Sequence, residues 1–332
     1  MPPEPLIEQL TSERVVQLRP EIARPTPGQR PLDVLDEWEA DGPTGQPVCV
    51  RTLFLRGSEC RFHCVMCDLW QFTHESASSP GALAEQVRVG AHHSNESSRE
   101  KMPLPTWIKL YNASSFFDPK NVPADDLPAI ADAVSRFDRV IVENHPRTIP
   151  WSVAVDFKRR LSGKLEIAMG LETVEPSVLA RLNKQMTAED FAAAARKCIA
   201  RGIDVRAFIL LRPPWLDEEA AIQWCRRSID FAIEHGARHI SVIPTRSGNG
   251  ALDWLRRRGE FEPPLASSLE LMLGEYVGHP DCVVTADLWN WDHLRGTCAQ
   301  CSAARKARLA RMNLMRVAEC DVECKECNAR SI

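Results

Sequence analysis

No apolar run in this chain approaches the ~18 residues that a membrane-spanning helix needs, so no membrane partner is expected. The first residues, Met1-Pro-Pro-Glu-Pro-Leu-Ile-Glu, lack a basic segment followed by an apolar one, so no secretory signal is expected and the reading is cytoplasmic. Charge of one sign is also scarce. With 41 basic and 45 acidic side chains the formal net charge is -4, so any nucleic-acid contact needs a local basic patch. Cysteine, by contrast, is abundant and uneven. Of twelve, three lie at 60–67 and five at 298–327. Clustered thiols in a chain without a secretory signal favour metal ligation over a disulfide scaffold. Cys49, Cys198, Cys225 and Cys282 stand apart and are expected to be buried as small apolar residues.

At 332 residues, 44% of them hydrophobic, the chain can bury a barrel-sized core with smaller additions. Residues 1–45 are Pro-rich and charged and read as an N-terminal arm, with a helix near Leu32–Glu39. From 48 to 244 apolar, β-branched runs recur: Val48–Leu55, Trp107–Tyr111, Arg139–Val142, Leu165–Met169, Val205–Leu211 and His239–Ile243. Helix-like segments lie between most of them. Thr187-Ala-Glu-Asp190 resembles a capping box before Phe191–Arg201, and Gly202 is placed to end that helix. Such alternation predicts an α/β fold with a parallel sheet and helices outside. Six strands suit a partial (β/α)6 TIM-type barrel over 46–250, and Cys282–Thr285 is a weak further strand. Residues 74–101, rich in Ser, His and Glu, read as a mobile insertion, and 251–332 as a helical, cysteine-rich C-terminal extension.

The first thiol group stands in Gly57-Ser-Glu-Cys60-Arg-Phe-His-Cys64-Val-Met-Cys67, just past the first strand. Ligands of such folds gather at the C-terminal ends of strands. An electron-transfer 4Fe–4S cluster takes four thiolates. A loop offering three, at Cys-x3-Cys-x2-Cys spacing, leaves one iron open to a small molecule. Zinc would need a fourth ligand and more often uses Cys-x2-Cys pairs.

On this loop and its strand-helix frame, residues 48–244 resemble the radical S-adenosylmethionine (SAM) core of the elongator-subunit, methylthiotransferase and nitrogenase-maturase type. The resemblance implies that Cys60, Cys64 and Cys67 bind the cluster and that SAM chelates the open iron. It also implies a low-potential electron donor of flavodoxin or ferredoxin type. Most of the superfamily carries Gly-Gly-Glu after the second strand. This chain has Asn112-Ala113-Ser114-Ser115 there, so small residues and hydroxyls would have to meet the SAM amine. Glu143, Gly170 and Glu172 end the third and fourth strands, where similar enzymes hold the SAM ribose, and Gly170 allows close backbone approach. Arg212 ends the fifth strand, as a contact for the SAM carboxylate or as a structural ion pair; Arg246 follows the sixth as a candidate anion contact. Trp107-Ile-Lys-Leu-Tyr-Asn-Ala-Ser-Ser-Phe-Phe-Asp118-Pro119, with Met66 inside the cysteine loop, resembles the radical SAM subunits associated with archaeosine synthesis in tRNA. That resemblance implies a tRNA nucleoside as substrate. A peptide or small metabolite is the enzymatic alternative, and a non-catalytic zinc-binding RNA adaptor is the other.

The second thiol group comprises Cys298, Cys301, Cys320, Cys324 and Cys327, and the last three repeat the Cys-x3-Cys-x2-Cys spacing. Four of these could hold zinc or an auxiliary iron–sulfur cluster. Between them a helix is expected over 302–317, docking Ala303, Ala307, Ala310, Leu314 and Val317 on the barrel. Arg305, Arg308 and Arg311 would then face solvent or an RNA backbone.

Overall fold

The computed structural model describes residues 10–42, 45–93 and 102–326. Eight strands form one sheet in the order of the chain: β1 (Asp33–Ala40), β2 (Pro47–Phe54), β3 (Trp107–Tyr111), β4 (Arg139–Glu143), β5 (Lys164–Glu172), β6 (Asp204–Leu211), β7 (His239–Pro244) and β8 (Val283–Ala286). β2 to β8 run parallel and β1 is antiparallel to β2. The sheet is the partial TIM-type barrel expected from the strand-helix alternation. The weak run at 282–285 is a strand, in register with β7 from His239↔Val283 to Val242↔Ala286.

Ten α-helices are described. They are α1 (Ser12–Gln17), α2 (Ala82–Ala91), α3 (Leu127–Ala133), α4 (Trp151–Arg160), α5 (Pro176–Arg181), α6 (Ala188–Ile199), α7 (Glu218–Glu234), α8 (Ala251–Arg257), α9 (Ala266–Tyr276) and α10 (Ser302–Met315). Outward side chains such as Leu53, Ile108, Val140, Ile167, Val205 and Ile240 pack under them in the main core. α6 opens on the predicted capping box: Asp190 N–H donates to Thr187 Oγ1 at 3.2 Å, and Thr187 N–H to Asp190 Oδ2 at 2.8 Å. Gly202 follows it with φ of 64°, backbone that favours glycine. The four scattered cysteines are all buried.

Two expectations for the first hundred residues are corrected. The segment read as a helix near Leu32–Glu39 is strand β1. Its lumen side carries Glu37 and Glu39 rather than apolar side chains, which masks the period-2 pattern of a strand. Residues 74–101, read as a mobile insertion, contain α2, whose Leu83, Val87 and Ala91 join the main core; 94–101 lie outside the described residues.

The lumen explains the odd strand composition. Arg206 donates to Glu166 at 2.6 Å and to Glu39 at 3.1 and 3.2 Å, Arg139 to Glu166 at 2.8 Å, and Lys109 to Glu37 at 2.9 Å. Burial alone would drive Glu39 and Glu166 toward their neutral forms, but the flanking cations together, Arg206 with Lys109 at Glu39 and Arg206 with Arg139 at Glu166, outweigh it and hold both below the usual carboxylate range. Buried charges persist only when paired in this way.

α10 packs on β1 and β8, the two outer strands of the sheet. The Asn313 side chain meets Ala286 as a neighbouring strand would, accepting from its N–H and donating to its carbonyl, both at 2.8 Å. The expected docking stripe of α10 is inverted. Arg305, Arg308, Leu309 and Met312 are buried, whereas Ala303, Ala307, Ala310 and Val317 are exposed. Arg305 forks onto Glu270 at 2.6 and 2.9 Å and donates to the Gly296 carbonyl at 3.0 Å. Arg308 pairs with Asp321, and Arg311 with Glu319 at 2.6 Å. Alanine buries little area, so arginines with carboxylate partners took the inner face.

Candidate cofactor site

β2 ends at Phe54 and delivers the cysteine loop to the C-terminal mouth of the barrel. Gly57 is required in the approach: a Cβ there would stand 2.7 Å from the Asn112 carbonyl oxygen. Side chains from distant elements then hold the loop. Asn249 Nδ2 donates to the Val65 carbonyl at 2.7 Å and the Cys67 carbonyl at 3.2 Å, while its oxygen accepts from Leu252 N–H at the start of α8. Asn183 Nδ2 donates to the His63 carbonyl at 2.7 Å, and Val65 N–H to the Leu182 carbonyl at 2.9 Å. Arg246 bonds Asp68, the residue after Cys67, at 2.8 Å and faces Asp287 at 3.6 Å. The N-terminal arm crosses the loop, with Arg19 and Arg24 paired to Glu59 at 2.7 and 2.9 Å. Cys60, Cys67, Phe62, Ala113, Glu59 and Trp70 line a small pocket.

Of the three thiols, Cys64 is buried and Cys60 and Cys67 are half-buried. Burial pushes Cys60 up, Cys64 up to about 12 and Cys67 well above the usual thiol range. Thiolates there require a compensating positive charge. One nearby cation is Lys184, whose charge acts on Cys64 and Cys67 and whose ammonium pairs with Glu172. Burial opposes that charge, yet Glu172 and Cys64 more than offset it and the Lys184 pKa is raised. Gly170 is what makes room: a Cβ at this position would collide with both the Glu172 carboxylate and the Lys184 ammonium. Glu172 itself has φ of 66°, at the irregular step in the β5–β6 pairing that turns its carboxylate toward Lys184.

Glu143, at the end of β4, has a carboxyl raised to about 7 by burial, against the pull of Ala113 N–H and Lys184. One of its oxygens, Oε2, is buried without a hydrogen-bond partner. His145 stacks on Phe62 of the cysteine loop, with ring centroids 4.0 Å apart. Its Nε2 donates to the Lys184 carbonyl at 2.9 Å and its Nδ1 accepts from Arg147 N–H at 3.2 Å, which fixes the neutral tautomer. Burial, reinforced by Lys184, lowers its pKa to about 4.

The remaining predicted residues divide. Ala113 lines the pocket in a left-handed backbone conformation, φ 56°. Ser114 accepts from Asn112 Nδ2 at 3.0 Å. Ser115 is buried and accepts from His145 N–H at 3.1 Å, so its hydroxyl is held inside the scaffold. Met66 packs with Val65, Leu182 and Leu210 in a second core beside the loop. The Arg212 guanidinium is taken up by the Glu262 and Pro263 carbonyls at 3.0 and 2.9 Å and by the carboxylates of Glu218 and Glu262, each at 3.4 Å. Lys184, Asn249, Asn183 and His145 were missed. Each lies far from the thiols in sequence, and only Thr187-Ala-Glu-Asp190 close behind Lys184 hinted that 182–186 is a fixed turn.

Of the second thiol group, Cys298, Cys301 and Cys324 come together, with sulfurs within 4.8 Å of one another. Cys320 is exposed and outside that group, and Cys327 lies outside the described residues.

A parallel partial TIM-type barrel carries a three-thiol loop at its mouth, a fold like that of the radical SAM core. No protein-family model matches the chain. In sequence it is similar to archaeosine synthase subunit beta of Methanosarcina acetivorans, 26% identical over 339 residues, covering 95% of this chain and 94% of that protein. It is also similar to archaeosine synthase subunit beta of Thermococcus kodakarensis, 26% identical over 190 residues, covering 55% of this chain and 58% of that one. In structure it is similar to methylornithine synthase, with a TM-score of 0.53 at 12% identity, covering 93% of this chain and 81% of that one. No helix among the described residues is long and apolar enough to cross a membrane.

Proposed function

We propose that this chain is a radical SAM enzyme acting on a nucleoside in tRNA, with Cys60, Cys64 and Cys67 as ligands of a 4Fe–4S cluster. The observation that carries the reading is the meeting of buried Cys64, half-buried Cys60 and Cys67, Lys184 and Glu172 at the mouth of a partial TIM-type barrel. Three features fit the cofactor pair. Thiols disfavoured as anions by burial suit ligands that cationic irons stabilise. The orphaned Glu143 Oε2 and the Lys184–Glu172 pair packed against Gly170 suit a polar ligand beside them. When bound, the cluster supplies the electron that splits SAM, and SAM supplies the 5′-deoxyadenosyl radical that removes a substrate hydrogen.

The chain's own residues bind and orient. The Lys184 ammonium is the cation for an amino-acid carboxylate next to the thiols. Glu172 can accept hydrogen bonds from ribose hydroxyls while keeping Lys184 as its counter-ion. Glu143, held half protonated near neutral pH, can donate to or accept from a polar ligand group. Phe62, His145 and Trp70 shield the thiol loop from water. A flavodoxin- or ferredoxin-type protein would bring the electron in a reducing cytoplasm. The tRNA substrate rests on the end-to-end similarity to archaeosine synthase subunit beta.

Anaerobically reconstituted, reduced protein is expected to release 5′-deoxyadenosine from SAM in the presence of bulk tRNA. An intact cluster that yields none would refute the enzyme reading. Nucleoside mass spectrometry of tRNA from cells with and without the protein tests the substrate separately. Identical nucleoside profiles would refute the RNA substrate and leave the radical chemistry standing.

A further inference from the structure

We propose that Cys298, Cys301 and Cys324 form a mononuclear zinc site, separate from the cluster loop, that clasps the C-terminal tail to α10. Distance decides between the metals. Thiolates on one tetrahedral zinc, with Zn–S near 2.3 Å, stand about 3.8 Å apart. Thiolates on separate irons of a cubane stand farther apart, about 6 Å or more. Here Cys298 Sγ lies 3.2 Å from Cys301 Sγ and 3.6 Å from Cys324 Sγ, and all three are within 4.8 Å of one another. The group is therefore gathered for one ion and too tight for a cluster. The 3.2 Å contact is also well beyond a disulfide bond of about 2.05 Å.

The surroundings suit an anionic thiolate site. Cys301 is the N-cap of α10, a helix of 14 residues whose amino end favours negative charge. Arg305 stands one turn further along α10, its guanidinium forked onto Glu270. Soft thiolates select zinc over the hard divalent ions. Three thiolates fill three tetrahedral positions of such an ion and leave the fourth to a further ligand. Cys298 and Cys301 precede α10 and Cys324 follows it, so one ion would tie both ends of the helix that packs on β1 and β8. Gln300 to Glu326 at 3.1 Å and Arg311 to Glu319 at 2.6 Å are weaker ties along the same seam.

The test is metal analysis of full-length protein in two backgrounds. The Cys60→Ala/Cys64→Ala/Cys67→Ala variant should carry one zinc per chain and no acid-labile sulfide. Adding Cys298→Ser and Cys301→Ser should reduce zinc below a tenth. In the otherwise wild-type chain, Cys298→Ser/Cys301→Ser should lose zinc while keeping about four irons after reconstitution. Cobalt in place of zinc should show tetrahedral d–d bands with thiolate charge transfer. Absence of a stoichiometric metal, zinc that survives the double substitution, or iron and sulfide in the triple-alanine variant would each overturn the site. Zinc removal should also lower Tm and open 316–326 to protease; an unchanged digest would overturn the clasp.

Discussion

The chain carries the same cysteine spacing twice, and the two copies stand in different surroundings. Cys60, Cys64 and Cys67 follow β2 and are fixed from outside by Asn249, Asn183 and Arg246, with Lys184 as a nearby cation. Cys320, Cys324 and Cys327 follow α10, and no strand lies beyond them among the described residues. There the repeated triplet splits: Cys324 turns to Cys298 and Cys301, while Cys320 is exposed. Spacing alone therefore does not choose a ligand set. The frame that presents the loop chooses it: the first loop is held from 120 to 184 residues away, whereas the described part of the second is held from α10 and the turn before it.

The sharpest way to break this comparison is to remove one thiol from each triplet. Cys64→Ala should abolish cluster assembly and cut 5′-deoxyadenosine formation by roughly a thousandfold or more, whereas Cys320→Ala should leave iron content and turnover unchanged. A loss of cluster in Cys320→Ala would show that the two triplets cooperate. Next in size is the cation. Lys184→Met strands the Glu172 carboxylate, which should cost about 3–5 kcal/mol in denaturant unfolding. It should also weaken SAM binding about 10- to 100-fold with iron content intact. Glu172→Gln in the same chain should restore most of the stability but not the affinity. Full recovery of SAM affinity would remove Lys184 from the binding site.

The frame itself gives smaller effects. Asn249→Ala frees two loop carbonyls and the α8 cap, which should cost about 1–3 kcal/mol and speed loss of iron to a chelator. Unchanged chelation kinetics would mean that the loop is held elsewhere. His145 adds a pH signature. Its folded pKa of about 4 lies below the ordinary 6.5, so the unfolded chain binds the extra proton between those values. Stability from this group is complete above pH 6.5 and is lost as pH falls toward 4. His145→Phe keeps a ring on Phe62 but removes the titration, so its Tm should fall less steeply over that window. Parallel Tm curves would place the acid sensitivity on other groups.

Much of the barrel was legible because β3 to β7 are apolar runs separated by capped helices. The Thr187 capping box and Gly202 were readable because caps are local. β1 was not, since Glu37 and Glu39 face a charged lumen, and a strand whose inner side is ionic has no apolar period to detect. The same lumen holds Lys109, Arg139, Glu166 and Arg206, whose partners come from other strands and are therefore not visible in their own sequence neighbourhoods. In the site, the thiols, Glu143, Gly170 and Glu172 could be read from their places at strand ends. Lys184 and Asn249 could not, because what brings them to the loop is the packing of α5 and α8 against Val65 and Leu182 in the second core. Arg212 stood at the right strand end, but the Glu262–Pro263 segment had claimed its guanidinium.

The smallest expected effect separates structure from substrate binding in the tail. Arg305 and Arg308 are themselves buried, so only Arg311 of the three tests the α10 surface without breaking its packing. Its partner Glu319 is on the same exposed seam, and exposed pairs contribute little. Arg311→Glu should leave Tm unresolved from wild type. It should change tRNA affinity by less than about twofold at physiological salt, because one exposed arginine already engaged by a carboxylate releases few counter-ions. A large drop in affinity with a flatter salt dependence would overturn that expectation: it would make α10 an RNA-contacting face, and the tail would then bear on the substrate as directly as the cluster loop does.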